Sequence, residues 1–197
     1  LSPQHVFQKH TRWGQHLHQK GLVQTFNFQH KHKQTGKLRV AYVSPDFHKH
    51  SVSYFVEPLL KSHDKNNFKV FAYSNSHKVD ETSVRLKAHC DHWESVVHLS
   101  DQELADKIYA DKIDILVDLT GHSANNRLAV FKQKPAPVQV TWLGYPNTTG
   151  LSEIDYRITD EIADPPVESD KLNAENLVRL DKGFLCYHGD ETVLVST

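Results

Sequence analysis

Apolar residues along this chain recur at two periods. Residues 38–44 (LRVAYVS), 68–73 (FKVFAY), 113–119 (IDILVDL) and 138–143 (VQVTWL) are short runs dense in β-branched and aromatic residues, and they predict strands. The run at 113–119 is apolar on both faces, as a central parallel strand requires. Shorter strands are predicted at 94–97 and 156–159. Between the strands, residues 53–62, 79–89, 101–111 and 125–133 are spaced as helices. Ser100-Asp101-Gln102-Glu103 supplies the serine and glutamate of a capping box, which marks a helix start. Strand and helix alternate through loops of a few residues, so the pattern predicts an α/β parallel sheet with helices on both faces. Ahead of this series, Val6, Phe7, Trp13 and Leu17 follow a Ser2-Pro3 start signal at roughly helical spacing and predict a helix over 3–20. Residues 21–36 are polar and end in Thr35-Gly36, as a linker does.

The stretch at 135–150, PAPVQVTWLGYPNTTG, runs a buried-strand pattern (Val138, Val140, Trp142) into a turn rich in Gly, Pro, Asn and Thr. In open α/β sheets, ligands bind in the crevice outside the carboxyl ends of the strands. A glycine directly after Trp142-Leu143 lets backbone approach a ligand closely. The first strand ends similarly, in PDFHKHSVSYF. Two strand ends loaded with small, polar and titratable residues predict one working crevice. The first strand-to-helix loop is SPDFHKHS rather than GxGxxG, which disfavours a dinucleotide site although the fold resembles that class. GxxxxGK[ST] and GxSxG do not occur, which disfavours P-loop phosphotransfer and a hydrolase nucleophile elbow.

Composition adds bounds rather than function. The 197 residues are 38% hydrophobic and 24% charged, an ordinary balance for a globular domain with a sizeable core. A formal net charge of -1 provides no global field for nucleic acid or a membrane. Cys90 and Cys186 form neither a disulfide framework nor a CxxC metal motif. Nothing reads as a leader or a membrane span, so the expectation is a cytoplasmic protein. The chain has no Met and stops on ETVLVST, so a piece of a longer protein is expected. Histidine is over-represented, at 15 residues. His30 and His32, beside Lys31 and Lys33, read as a solvated linker that gains charge below pH ~6.5, with metal binding as the alternative.

Three places could carry chemistry. Asp46 and His50 stand four apart after the first strand and face one another if a helical turn begins there. A carboxylate that accepts an imidazole N–H fixes the tautomer and raises the basicity of the other nitrogen, which suits general-base work. The alternative is that Asp46 caps the next helix and His50 is a surface residue. His122, in DLTGHSANNR, falls at another strand end, as a crevice-lining group or as an incidental residue at a helix start. Arg127 would bind an anion or pair with Asp118 or Asp114. Trp93 and Trp142 read as packing residues, and Asp155-Tyr156-Arg157 as structural pairing.

Taken together, LRVAYVSPDFHKHSVSYFVEPLL, DILVDLTGHSANNRLAVFKQKPAPVQVTWLGYPNTTG and IDYRITDEIADPP resemble the O-GlcNAc transferase family, the protein O-linked N-acetylglucosaminyltransferases with their bacterial and Spindly-type relatives. The resemblance runs from Leu38 to about Tyr187. It implies the Rossmann-like N-terminal half of a GT-B glycosyltransferase, with residues 37–197 as that half. Residues 1–36 would be the helical segment and linker from a tetratricopeptide region, and the nucleotide-binding half would follow Thr197. It implies metal-independent transfer of N-acetylglucosamine from UDP-GlcNAc to protein Ser or Thr, with no cofactor. Acceptor proteins would be reached through the upstream repeats, with neither nucleic acid nor membrane as a partner. The family's DFxxH element falls on Asp46, Phe47 and His50, which implies a catalytic pair. Its sugar-pocket loop falls on Leu143, Gly144, Tyr145 and Pro146, and its crevice segment on His122, where animal members carry Tyr, and Arg127. Animal members follow the DFxxH histidine with Pro-Thr, where Ser51-Val52 stand here, so a sugar-contacting Thr is not carried over. A catalytic-region His upstream of the joining helix finds no counterpart, and the Lys that contacts the UDP phosphates would lie beyond Thr197. The alternatives are a GDP-fucose-dependent relative and a non-catalytic interaction module.

Overall fold

The computed structural model describes residues 2–19, 26–28 and 36–189. His30, His32, most of the polar linker and the closing ETVLVST lie outside these residues. The chain enters through helix α1 (Pro3–Gln19), then runs β1 (Leu38–Ser44), α2 (Ser51–Ser62), β2 (Phe68–Ser74), α3 (Glu81–His89), β3 (His92–Ser95) and α4 (Asp101–Ala110). There follow β4 (Ile115–Asp118), α5 (Leu128–Lys132), β5 (Val138–Thr141), β6 (Tyr156–Thr159), a 3-10 turn (Ser169–Leu172) and β7 (Asn176–Arg179). The strands form one parallel sheet in the order β3-β2-β1-β4-β5-β6-β7.

That order sets the position of the site. From β1 the chain builds outward through β2 and β3, then crosses back to β4 on the other side of β1. The reversal leaves a switch point between β1 and β4, where the loops diverge and open a crevice. Val43 pairs with Asp118 and Asp118 with Thr141, so β1, β4 and β5 end level and deliver their loops to the same place.

Alternation along β1 splits the core. Ala41 and Val43 face a cluster with Leu17, Leu104, Ile108, Leu128 and Phe131. Val40 and Tyr42 face Val52, Val56, Leu60 and Leu86 on the other side. Each fully buried side chain of this size contributes roughly 1.5–3 kcal/mol over leaving it exposed. Leu17 places α1 in the first cluster, with Trp13 packed against it. The predicted capping box forms: Ser100 Oγ accepts the Glu103 N–H (3.2 Å) and Glu103 accepts the Ser100 N–H (2.8 Å). Trp93 packs on Phe47 with ring centroids 5.2 Å apart, and Arg157 pairs with Asp164 at 2.9 Å, so both serve structure.

Several elements start or end one or two residues from the expected bounds, β3 at His92–Ser95 rather than 94–97 among them, and two differ by more. The helix expected over 125–133 begins only at Leu128, because Asn125 takes a left-handed φ of 59° and Asn126 Oδ1 accepts the Leu128 N–H. Strand β7 was not anticipated, and β6 is therefore interior rather than last. Its four residues are only half covered, and four alternating positions are too few for the period to register.

Candidate functional site

A cavity of about 310 Å³ opens at the carboxyl ends of β1, β4 and β5. Asp46, His50, Ser51, Val52 and Phe55 form one wall, and Ser123, Ala124 and Asn125 another. Leu143, Gly144 and Leu185 complete it. Backbone geometry makes the floor specific. Leu143 sits at φ 77°, and a Cβ on Gly144 would lie 2.0 Å from the Leu119 carbonyl oxygen, so only glycine lets the loop after β5 lie against the end of β4. Trp142 is buried beneath and donates its indole N–H to the Phe184 carbonyl (2.8 Å).

Asp46 and His50 share the cavity, but not through the hydrogen bond the spacing suggested. His50 is the N-cap of α2, with its Nδ1 accepting the Val52 N–H at 3.3 Å. The neutral ring therefore carries its proton on Nε2. Asp46 Oδ1 lies 3.8 Å from the same Nδ1, beyond hydrogen-bond reach. The capping alternative is corrected as well: His50 rather than Asp46 caps α2, and the Asp46 carboxylate is left without a hydrogen bond among the described residues.

The other expected site residues divide. Leu143 and Gly144 line the cavity. His122 and Tyr145 adjoin it in sequence but turn to α1: His122 stacks on His10 with centroids 4.3 Å apart, and His10 Nε2 and the Tyr145 hydroxyl are 3.1 Å apart. Trp13 meets the His122 ring edge-on at 4.8 Å. Pro146 is exposed and does not line the cavity. Arg127 does not line it either. It donates to Asn75 Oδ1 (3.1 Å), Asp101 Oδ1 (2.7 Å) and the carbonyls of Val96 (2.9 Å) and Leu99 (2.7 Å). Its expected partners Asp118 and Asp114 are replaced by Asp101, because the loop before α4 folds over the end of β3 and places that carboxylate beside it. No single-element pattern encodes this contact between distant segments.

His10 is the residue that sequence reasoning missed. Without a counterpart for the family's upstream histidine, no histidine of the joining helix was expected at the crevice, yet α1 lays His10 beside His122. Its signal was the QKHTRWG run, in which His10 and Trp13 share one helix face at three-residue spacing. The seat is tight: a Cβ on Gly14 would come 2.5 Å from the Gly150 oxygen. Ser123, Ala124 and Asn125 also line the cavity, and small or neutral residues ahead of a helix carry no signal of this in the sequence.

Burial sets the charge of this histidine pair beside the cavity. It is the largest cause holding both His10 and His122 below the ordinary histidine pKa, and for His10 the neighbouring His122 adds to it. Asp118, fully buried, is pushed up to about 6 by desolvation, while Thr141, Gly121 and Thr120 donate to it and pull the other way. The unfolded chain protonates its histidines first. The stability contributed by the neutral pair is therefore complete above pH 6.5 and lost as pH falls through the lowered folded values. Asp118 acts in the opposite sense, gaining a proton in the fold near pH 6. Thermal melts over a pH series are expected to show that a His10→Gln, His122→Gln double variant loses less stability than the wild type between pH 6.5 and 5. Parallel curves would refute the assignment.

Among the described residues no group of three His, Cys, Asp or Glu is placed to hold a metal, and no helix is long and apolar enough to cross a membrane. An all-parallel sheet with a polar crevice at its switch point defines a Rossmann-like ligand-binding domain. The model of glycosyl transferase family 41 matches residues 8–196, and the chain belongs to that family. It is 45% identical over 186 residues to a rice (Oryza sativa subsp. japonica) protein named "Probable UDP-N-acetylglucosamine--peptide N-acetylglucosaminyltransferase SPINDLY", covering 92% of this chain and 20% of that protein. The SEC protein of Arabidopsis thaliana, with the same enzyme name, is 35% identical over 145 residues, covering 73% of this chain and 15% of SEC. A solved structure of a Thermobaculum terrenum O-GlcNAc transferase mutant superposes with a TM-score of 0.74 at 45% identity, covering 76% of this chain and 28% of that one. The chain thus spans about a fifth of the length of the curated relatives it matches.

Proposed function

We propose that this chain forms the acceptor-side half of a transferase that moves N-acetylglucosamine from UDP-N-acetylglucosamine to Ser or Thr hydroxyls of proteins. The observation that carries the reading is the switch-point cavity, which joins the Asp46–His50 end of β1 to the Leu143–Gly144 end of β5. The names of the relatives supply the donor and the peptide acceptor. In the reaction the acceptor oxygen attacks the anomeric carbon, the bond to the UDP oxygen breaks, and configuration inverts. The hydroxyl proton must leave as that bond forms. His50 offers no free lone pair when neutral, because its Nδ1 is bound to the Val52 N–H. We therefore assign proton acceptance, directly or through one water, to the Asp46 carboxylate, and assign the His50 Nε2–H to donation toward an oxygen of the substrates. Leu143 and Gly144 give the sugar a close backbone wall. The reaction is proposed to run in the cytoplasm, on proteins gathered by tetratricopeptide repeats.

The test is transfer from radiolabelled UDP-N-acetylglucosamine to a Ser/Thr peptide by the full-length protein. Turnover is expected there and not in the 197-residue chain alone. Turnover of GDP-fucose instead would select the other donor, and turnover of neither by folded protein would leave an interaction module.

A further inference from the structure

Directly ahead of β7 stands a carboxylate that the proposed reaction does not use. Glu175 is 4% exposed and has no ion-pair partner among the described residues. A charge buried to this degree persists only where hydrogen bonds replace its water. Its donors all come from two adjacent residues. The Thr148 hydroxyl donates to Oε2 at 2.6 Å, and the Thr149 N–H (2.7 Å) and Thr149 hydroxyl both donate to Oε1. With their protons committed inward, the two hydroxyl oxygens accept backbone N–H groups: Thr148 those of Gly150 and Ala174 (3.0 Å each), and Thr149 that of Leu151 (3.3 Å). One carboxylate thus sets the course of the strap over residues 148–151.

Two histidines rest on that strap. The Thr149 carbonyl accepts from His122 Nε2 at 2.8 Å. A carbonyl only accepts, so neutral His122 carries its proton on Nε2 and keeps the lone pair on Nδ1. The next residue, Gly150, has a φ of 73°, and a Cβ there would lie 2.3 Å from the His10 carbonyl carbon. α1 can lie against the sheet, with His10 on His122, only while the strap keeps this shape. We propose that Glu175 is a positioning residue for the crevice, fixing the tautomer of His122 and the seat of His10 through the 148–151 strap. This role rests on reading the crevice as the site of glycosyl transfer. Besides each other, the histidines face Tyr145, and the Glu175 carboxylate acts on both electrostatically, opposing the effect of their burial.

The experiment uses the full-length protein with isotope-labelled histidine, His10 and His122 being assigned from single Gln variants. In the wild type His122 is expected as the Nε2–H tautomer by nitrogen chemical shift. The Nδ1–H tautomer would overturn the proposal, and this measurement needs no variant that folds. In Glu175→Gln, the titrations of His10 and His122 are both expected to move to lower pH. Sugar transfer is expected to lose about 10-fold or more in kcat with KM for the donor retained, the scale seen when an outer partner that orients a histidine is removed. Glu175→Asp, which keeps the charge, should restore part of the titration shift. Unmoved titrations, or an unmoved kcat in an active wild type, would overturn the proposal. Should the wild type transfer no sugar at all, the transferase reading fails by itself, and the tautomer and titrations still decide whether Glu175 positions the pair.

Discussion

Asp46→Asn in the full-length protein is expected to lower kcat for sugar transfer by about 10²–10⁴-fold, the range for removing a positioned general base. The carboxylate lines the cavity and makes no hydrogen bond among the described residues, and its Oδ1 lies 3.8 Å from His50 Nδ1. An amide of the same shape removes proton affinity and disturbs little else. The melting temperature and the KM for the donor should therefore stay close to wild type, which separates a chemical role from a structural one. His50→Asn provides the matching control. Asparagine is a good N-cap, so it replaces the bond to the Val52 N–H while deleting the Nε2–H from the crevice. A loss in the His50 variant larger than in the Asp46 variant would reverse the two roles. Steady-state kinetics on a Ser/Thr peptide, with melts on the same samples, distinguish these results.

Arg127→Ala is expected to cost about 3 kcal/mol of stability. The guanidinium is 12% exposed and joins Asn75 after β2, the Val96 and Leu99 carbonyls after β3, and Asp101 at the start of α4. Truncation leaves the Leu99 carbonyl without the Arg127 donor, leaves the Val96 carbonyl with only the Leu99 N–H, and exposes Asp101 as an unpaired charge. Asp101 is 36% exposed, and solvent takes up part of that loss. Lysine keeps the charge but not the planar fork, so Arg127→Lys should recover less than half of the stability. Denaturant titration checks both. The KM for the sugar nucleotide is expected to be unchanged wherever the variants remain folded. A raised KM at unchanged stability would return Arg127 to the substrate-binding role that its place after the central strand suggested.

These two residues show which parts of the site were legible. That Asp46 and His50 line the cavity is legible because the relation is local: a strand end, a turn and a helix start within a few residues, which the chain's own period fixes. The place of Leu143 and Gly144 on the cavity is legible for the same reason, at the small-residue exit of an obvious strand. The partners of Arg127 are not legible, because they come from three other segments, Asp101, Asn75 and the carbonyls after β3, and no local pattern announces a contact 26 or 52 residues away. His10 was missed because α1 reaches the sheet through backbone contact at Gly14 and Gly150, a fit carried by missing side chains. Glu175 left no trace in the pattern, since a buried carboxylate reads like a surface one until its donors are assembled.

The sequence by itself determined the alternation of strands and helices, the capping box at Ser100, the two strand ends that face the crevice and the resemblance of the whole series to one family. These follow from periodicity and turn chemistry within short windows, where backbone geometry leaves few choices. Tertiary structure alone decided which nitrogen of His50 is free, that the His122 wall is completed by a helix from the start of the chain, and that Glu175 underlies both histidines. The last two depend on hydrogen-bond geometry between segments far apart in sequence, and the first on the exact turn that opens α2. In that turn a difference of about 1 Å separates a bonded Asp46–His50 pair from the capping histidine and free carboxylate that the fold contains.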